Sequence, residues 1–302
     1  MRLNLVLGAS GAVGQFLLPL LTARGERVIG VSRDPPAAAD SEIEWLRGDL
    51  FGAMPSLPPV DTIYSLGPLD ACADWLARTL DAQVGASARA APTRVIALSS
   101  MSAQSKLESI DAAERELAAR LASAEQRLFA CTRAQGIACT ILRPTLIYGA
   151  GRDSSLAPLA RSARRWHVLP IPAGASGLRQ PVHAADVAAA CLAACDAPAT
   201  FGATYELGGG ERLRFDAMLA RIARAAHALR VPIPLALVRA GARLARGSVG
   251  AGTLARLTAD LLADNAPAAR DFGYAPRGFV AADVRGTLPA SAPAMPAKEP
   301  AV

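Results

Sequence analysis

The sequence predicts a doubly wound α/β fold, and three observations predict it. Short apolar, β-rich runs alternate with longer Ala- and Leu-rich stretches of helical period, the pattern of a parallel sheet covered by helices on both faces. The opening run, 3–7, passes straight into Gly8-Ala9-Ser10-Gly11-Ala12-Val13-Gly14 and then into a strongly helical segment. The 302 residues suffice for one big α/β domain or for a sheet domain with a smaller partner.

Taken in order, strands are expected at 3–7, 27–32, 44–46, 62–66, 94–99 and 140–142, with helices at 12–24, 70–88 and 111–135. Pro35-Pro36-Ala37 leaves too little room for a full helix between the second and third strands. After Tyr148-Gly149 the alternation breaks into Gly/Pro-rich connectors, followed by a helix near 184–195, a strand near 204–207 and a helix near 215–228. That half is expected to form a smaller lobe over the carboxyl edge of the sheet, where open α/β sheets bind ligands. The expected division is a sheet domain at 1–150, with part of 180–200 packing back on it, a smaller substrate lobe at 151–286, and a tail at 287–302, rich in Pro and Ala and expected to be disordered.

Composition narrows the function classes. Much of the 52% apolar content is alanine, and no uninterrupted apolar run approaches the ~20 residues of a spanning helix, so no transmembrane segment is expected. Arg2 leads directly into Leu3-Asn4-Leu5-Val6-Leu7 without a signal-peptide pattern, and a cytoplasmic protein is expected. The five cysteines (Cys72, Cys131, Cys139, Cys191, Cys195) are scattered and odd in number, as for reduced core thiols. Cys191 and Cys195 share a helix face, but no further ligands stand at suitable spacing and no metal site is expected. The net charge of +6 comes from arginines interspersed with acids, without an aromatic-rich basic motif. Anionic phosphate ligands in a cleft explain that balance as well as a nucleic acid does, and no nucleic-acid partner is expected.

The glycine segment carries the first chemistry. A tight turn without side chains lets backbone N–H groups and the next helix's N-terminus approach a pyrophosphate, and Gly14 lets that helix pack closely on the strand. Strand before and helix after make this a Rossmann-type dinucleotide loop, with Gly8, Ser10, Gly11, Ala12, Val13 and Gly14 as cofactor contacts. Such folds place an acid against the ribose 2′-hydroxyl, or an arginine against a 2′-phosphate, about 20 residues on. Here Ser32-Arg33 ends the second strand. Guanidinium pairs bidentately with phosphate, which favours NADP(H), while the adjacent Asp34 keeps NAD(H) open and Arg33 also reads as a solvated strand-end charge.

Read in order, the glycine loop, Arg33, Gly48-Asp49-Leu50 and Ser99-Ser100 resemble the extended short-chain dehydrogenase/reductases, and more narrowly their NAD(P)-dependent nucleotide-sugar epimerase/dehydratase branch. Leu142-Arg143-Pro144-Thr145-Leu146-Ile147-Tyr148-Gly149 is similar to that family's segment after the sixth strand. Arg179-Gln180-Pro181-Val182-His183-Ala184-Ala185-Asp186-Val187, Tyr205-Glu206-Leu207-Gly208-Gly209-Gly210 and Phe272-Gly273-Tyr274-Ala275-Pro276 resemble its later elements. The resemblance implies that Asp49 and Leu50 lie beside the adenine, Leu66 and Gly67 along the cofactor and Pro144 near the nicotinamide. It also implies substrate-side places for Tyr148, Arg179 and His183, with Arg179 a candidate for a substrate phosphate. Asp49 reads equally as a turn cap and Arg179 as a surface charge.

The family's chemistry resembles hydride transfer assisted by a Tyr-x-x-x-Lys pair on one helix face, the Lys lowering the phenol's pKa. The chain has only Lys106 and Lys298, and neither follows a tyrosine at that spacing. Aligning by Glu125, which looks like the glutamate after the pair, puts Leu117 and Leu121 where Tyr and Lys would stand. Ser100 matches the family's substrate-orienting serine and is the one catalytic candidate, though it reads also as a strand-end cap. Glu116, Lys106, Tyr148 and His183 are the remaining acids or bases, each with a surface or structural reading.

Two functions follow as expectations. One is an atypical NADP(H)-dependent enzyme acting on a sugar nucleotide or another small molecule by an altered proton route. The other is a non-catalytic dinucleotide-binding structural subunit, assembly factor or redox sensor, with a homodimer or another protein as partner. Arg239, Arg243 and Arg246 further describe a basic amphipathic stretch, read as a lobe helix with one wet side or as a membrane-surface or partner-binding helix.

Overall fold

The computed structural model describes residues 1–36, 42–82, 91–153, 155–234, 236–237 and 257–286. The first half runs β1 (Leu3–Leu7), α1 (Gly14–Ala23), β2 (Arg27–Ser32), β3 (Ile43–Arg47), β4 (Thr62–Ser65), α2 (Leu69–Ala82), β5 (Arg94–Leu98), α3 (Ser102–Ser105), α4 (Ala112–Ala134) and β6 (Ala138–Pro144). The second half runs β7 (Ile147–Tyr148), α5 (Leu156–Trp166), β8 (Val168–Ala173), β9 (Leu178–Arg179), β10 (Val182–His183), α6 (Ala184–Asp196), β11 (Thr204–Leu207), β12 (Leu213–Arg214), α7 (Phe215–Ala225), β13 (Leu229–Pro234) and α8 (Ala266–Phe272).

Seven strands form one sheet in the order β11-β6-β5-β4-β1-β2-β3, every neighbouring pair parallel. The alternation of side chains along each strand divides the interior in two. Val6, Tyr64, Ile96, Leu98 and Leu142 share a core with α1 and α6. Leu5, Leu7, Ile63, Val95, Ala97 and Ile141 share the other with α2 and α4. The strand order reverses between β1 and β4, which is the switch point where such sheets open a crevice at their carboxyl ends.

Helix ends follow local chemistry. Gly25 (φ +70°) ends α1 in a Schellman turn, with Glu26 N–H donating to Leu21 O at 3.2 Å. Gly136 (φ +68°) ends α4 in the same way, with Ile137 N–H on Thr132 O at 2.9 Å. Asp111 caps the start of α4 by accepting the Ala113 N–H at 3.0 Å.

The division at residue 150 needs a correction. The strand expected in the smaller lobe, β11, pairs with β6 at the edge of the sheet, while α6, almost all alanine and apolar and within the stretch 180–200 expected to pack back, buries against α1. A run of small apolar residues can lie flat on a sheet face, and α6 does so there. The smaller lobe has its own core of Tyr148, Leu156, Leu169, Met218, Leu219, Ile222 and Phe279. Around it stand α5, α7 and the pairs β8–β13, β7–β10 and β9–β12. Val231 to Pro234 lie in strand β13. The expected basic helix around Arg239 to Arg246 and the tail from 287 lie outside the described residues.

A buried arginine fastens the lower edge of the sheet. Arg94, at the first position of β5, donates to the Ala194 and Cys195 carbonyls at the end of α6 (2.7 and 3.2 Å), to Ala138 O (3.1 Å), and to the Thr140 and Thr200 hydroxyls (both 2.7 Å). Carbonyls at a helix C-terminus carry partial negative charge, so this cation is solvated by backbone instead of a carboxylate.

Candidate functional site

The loop after β1 is shaped by what its glycines leave out. A Cβ on Gly14 would stand 2.1 Å from Ala9 O, so α1 abuts the end of β1 more closely than any side chain permits. Gly8 has φ +76°, and a Cβ there would lie 3.0 Å from Gly67 N, so the loops after β1 and β4 touch at the switch point. Gly11 N–H closes the turn onto Gly8 O at 2.9 Å. Among the described residues the N–H groups of Ser10, Ala12, Val13 and Gly14 donate to no protein acceptor. Four amide donors without protein acceptors, on a turn packed too closely against backbone for side chains at Gly8 and Gly14, fit a dinucleotide pyrophosphate.

The far end of the loop meets β2. Ser10 Oγ and Ser32 Oγ are 2.7 Å apart, and Ser32 Oγ also accepts the Asp34 N–H at 3.1 Å. Arg33 and Asp34 are both exposed at the strand end. Asp49 makes the turn its bland reading described, its Oδ1 accepting the Phe51 N–H at 3.0 Å. Leu50 faces Gly67, its Cδ1 3.5 Å from where a Cβ on Gly67 would be, and Leu66 N–H donates to Leu7 O at 2.9 Å. Gly8, Ser10, Ser32, Arg33, Leu50, Leu66 and Gly67 thus come together along one edge.

At the other end of the crevice stand Ser100, Pro144 and α4. Ser100 Oγ accepts the Ser102 N–H at 3.1 Å and so opens α3, while Pro144 O accepts the Met101 N–H at 3.1 Å. Leu117 and Leu121 are half-buried on the α4 face that also carries buried Glu125. Sequence reading took Glu125 only as an alignment mark. It accepts from Ser99 Oγ, and from Arg143 Nε at 2.9 Å and Arg143 Nη2. This contact raises the Arg143 guanidinium above its ordinary pKa. With its amide turned to satisfy both partners, Gln104 accepts from Arg143 Nη1 at 2.7 Å and donates to Glu206 Oε1 at 2.9 Å. Lys106 pairs with Glu114 at 3.6 Å, and Glu116 is exposed on α4.

The three substrate-side candidates have structural surroundings. Tyr148 is wholly buried; its hydroxyl accepts the Val280 N–H at 3.0 Å, and burial pushes the phenol up to about 12. His183 caps α6, Nδ1 accepting the Ala185 N–H at 3.1 Å, with its ring edge-on to Tyr148 and Phe16. Burial, then Arg277, hold this imidazole below its ordinary pKa. Arg179 is buried over the Phe215 ring and donates to Leu178 O and Ala259 O at 2.8 and 2.7 Å, which is neither the open phosphate site nor the surface charge expected.

The C-terminal motifs meet in one knot. Gln180 Nε2 donates to Gly209 O at 2.9 Å, Tyr274 Oη to Gly208 O at 2.9 Å, and a Cβ on Gly209 would stand 1.9 Å from Pro181 O. A residue that sequence reading did not single out, Arg152, donates from Nη1 to Ser10 O at 2.5 Å; its only sequence signal is the preceding Gly149-Ala150-Gly151. All five cysteines are free thiols, four of them buried. Among the described residues no group of three His, Cys, Asp or Glu could hold a metal, and no helix is long and apolar enough to cross a membrane.

Comparisons with known proteins agree with this geometry. MoeE5, solved with UDP-glucuronic acid and NAD, superposes with a TM-score of 0.69 at 19% identity, over 94% of this chain and 97% of that one. Epimerase Mth375 from Methanothermobacter thermautotrophicus gives 0.67 at 17% identity over 91% and 88%. UDP-N-acetylglucosamine 4-epimerase from Bacillus cereus gives 0.66 at 17% identity over 94% and 96%. These likenesses establish the fold. A curated relative, the mitochondrial NADH dehydrogenase [ubiquinone] 1 alpha subcomplex subunit 9 of Arabidopsis thaliana, is 37% identical over 102 residues, 33% of this chain and 24% of that protein's length. The model of the NAD dependent epimerase/dehydratase family matches residues 4–208, from the first β-strand to the first glycine of the C-terminal knot, and the chain belongs to that family.

Proposed function

We propose that this protein holds NADP(H) in the cradle at the switch point and does not carry out the proton exchange of an ordinary epimerase or dehydratase. What supports the second half is the pair Leu117 and Leu121, half-buried on α4 eight and four residues before Glu125, where the resemblance puts the family's Tyr and Lys. Neither side chain can bind or release a proton. The other candidate acids and bases near the crevice are engaged: Ser100 caps α3, Lys106 pairs with Glu114, Tyr148 serves Val280, and His183 caps α6. A bound nicotinamide supplies or accepts hydride, but the hydroxyl or carbonyl opposite it then lacks its proton partner, a contribution of about 10²–10⁴ in rate.

On this reading the dinucleotide is a structural or sensing ligand, and the protein serves as a subunit, assembly factor or redox sensor for a partner. The Arabidopsis relative, a subunit of NADH dehydrogenase, supports that class. Solved neighbours that hold UDP-glucose or UDP-glucuronic acid with NAD favour a second reading, an enzyme for sugar nucleotides with an altered proton route. NADPH fluorescence followed after the NADP+-loaded protein is mixed with UDP-glucose or UDP-glucuronic acid, with the sugar nucleotides then analysed, separates the two. The first reading expects bound NADP+ that is never reduced and sugar nucleotides recovered unchanged. Turnover by the wild-type protein would overturn it.

A further inference from the structure

Arg152 belongs to the segment leading into the smaller lobe, yet its guanidinium reaches across to the glycine loop. Nη1 donates to Ser10 O at 2.5 Å. Ser10 is also the loop residue whose hydroxyl meets Ser32, 2.7 Å away at the end of β2 and next to Arg33. Arg152 therefore meets the loop residue whose hydroxyl also faces Ser32, beside Arg33 at the end of β2, while the amides of Ala12, Val13 and Gly14, which donate to no protein acceptor among the described residues, follow where the loop enters α1.

The position of Arg152 is fixed by backbone. Gly149 and Gly151 have φ of +103° and +66°; a Cβ on the first would stand 2.2 Å from His183 Nε2, and on the second 2.3 Å from Arg285 O. The turn that presents Arg152 is thus locked between α6 and the chain's return at 285. Asp153, the neighbouring acid, is occupied in accepting the amides of Leu156 and Ala157 at the start of α5, at 2.5 and 3.0 Å. Arg152 is exposed and makes no ion pair among the described residues. A guanidinium has five N–H donors, and the bond to Ser10 uses one.

We propose that Arg152 is a specificity-determining residue that closes over the adenosine 2′-phosphate of NADP(H), opposite Arg33 across the Ser10 and Ser32 hydroxyls. This rests on the NADP(H) reading above. A guanidinium held on Ser10, an exposed arginine next to Ser32 and the paired Ser10 and Ser32 hydroxyls supply the donors a dianionic phosphate monoester takes, whereas the pyrophosphate falls to the amides at the start of α1.

Calorimetric titration of wild type, Arg152→Gln and Arg152→Lys with NADPH, NADH and 2′,5′-ADP tests the assignment. In Arg152→Gln the affinity for NADPH and 2′,5′-ADP is expected to fall about tenfold, with NADH unchanged and the lysine variant intermediate. Thermal melting should match wild type, because the side chain is exposed. Equal weakening toward NADH, or a lowered melting temperature, would make Arg152 a pyrophosphate contact or a lobe tie and overturn the proposal. Preference for NADPH in wild type that survives in Arg152→Gln would overturn the proposal alone, whereas no preference in wild type would overturn the cofactor reading and the proposal with it.

Discussion

Replacing Gly14 by alanine should damage stability and dinucleotide binding together, and the structure sets the scale. The added Cβ would stand 2.1, 2.6 and 2.9 Å from the O, C and Cα of Ala9, all backbone atoms of the loop itself. Optimal non-bonded separations are about 3.5–4.0 Å, so α1 must back away from β1 by more than about 1 Å. Leu17 and Leu21 on that helix are wholly buried, and their packing moves with it. The cost should sit at the upper end of overpacking, about 3 kcal/mol, a fall of roughly 6–12 °C in melting temperature. The same displacement carries the Ala12 and Val13 amides off their target, and losing one charge-assisted hydrogen bond already weakens binding about tenfold. Gly25→Ala is the control: with φ +70° and no atom within 4 Å it meets backbone strain alone. That strain is worth about 1–2 kcal/mol and leaves affinity unchanged. Circular dichroism melting and NADPH calorimetry on both variants provide the readout. A Gly14→Ala protein with wild-type melting and affinity would refute the close-approach role of this glycine.

Other consequences are equally specific. Arg94→Met strands the Ala194 and Cys195 carbonyls at the end of α6; allowing for the relieved desolvation of the cation, urea denaturation should show a loss of about 2–4 kcal/mol. Glu125→Leu leaves the half-buried Arg143 without its carboxylate and should cost up to about 3 kcal/mol, most of it recovered in Glu125→Leu/Arg143→Leu; a double variant as unstable as the single would contradict the pairing. His183 has a folded-state pKa below its unfolded value of 6.5, so the unfolded chain binds more protons and stability falls as pH drops from that value through the folded pKa. Its surroundings, Arg277, Asp186, Asp283 and Tyr148, remain in His183→Asn, which keeps an acceptor for the Ala185 N–H. That variant should lose less stability than wild type between pH 7 and 5 in paired denaturation curves. Leu117→Tyr/Leu121→Lys restores the spacing of the family's acid and base; a gain in nucleotide-sugar turnover is expected wherever substrate still binds, and none should appear in either single variant.

The sheet domain was legible because its signals are local. Apolar runs, the glycine loop and Gly25 or Gly136 after each helix need only neighbours in sequence to act, and strands β1, β2 and β11 fall where the pattern put them. Strand partnership is a different matter. Nothing in Thr204 to Leu207 says that it pairs with β6 at the edge of the first sheet, so its lobe was misassigned. Tyr148, Arg179 and His183 carry chemically capable side chains, but the structure surrounds them with burial and backbone partners that the sequence does not announce. Arg152 escaped notice for the opposite reason: its meaning comes wholly from a contact across 142 positions of the chain.

The central claim is that a pyrophosphate rests on the amides where β1 hands over to α1, and amide NMR during titration with NADPH tests it most directly. The account predicts that the resonances of Ser10, Ala12, Val13 and Gly14 shift first and furthest, saturating at one equivalent. Folded protein whose loop resonances stay put while NADPH is added in excess would contradict it.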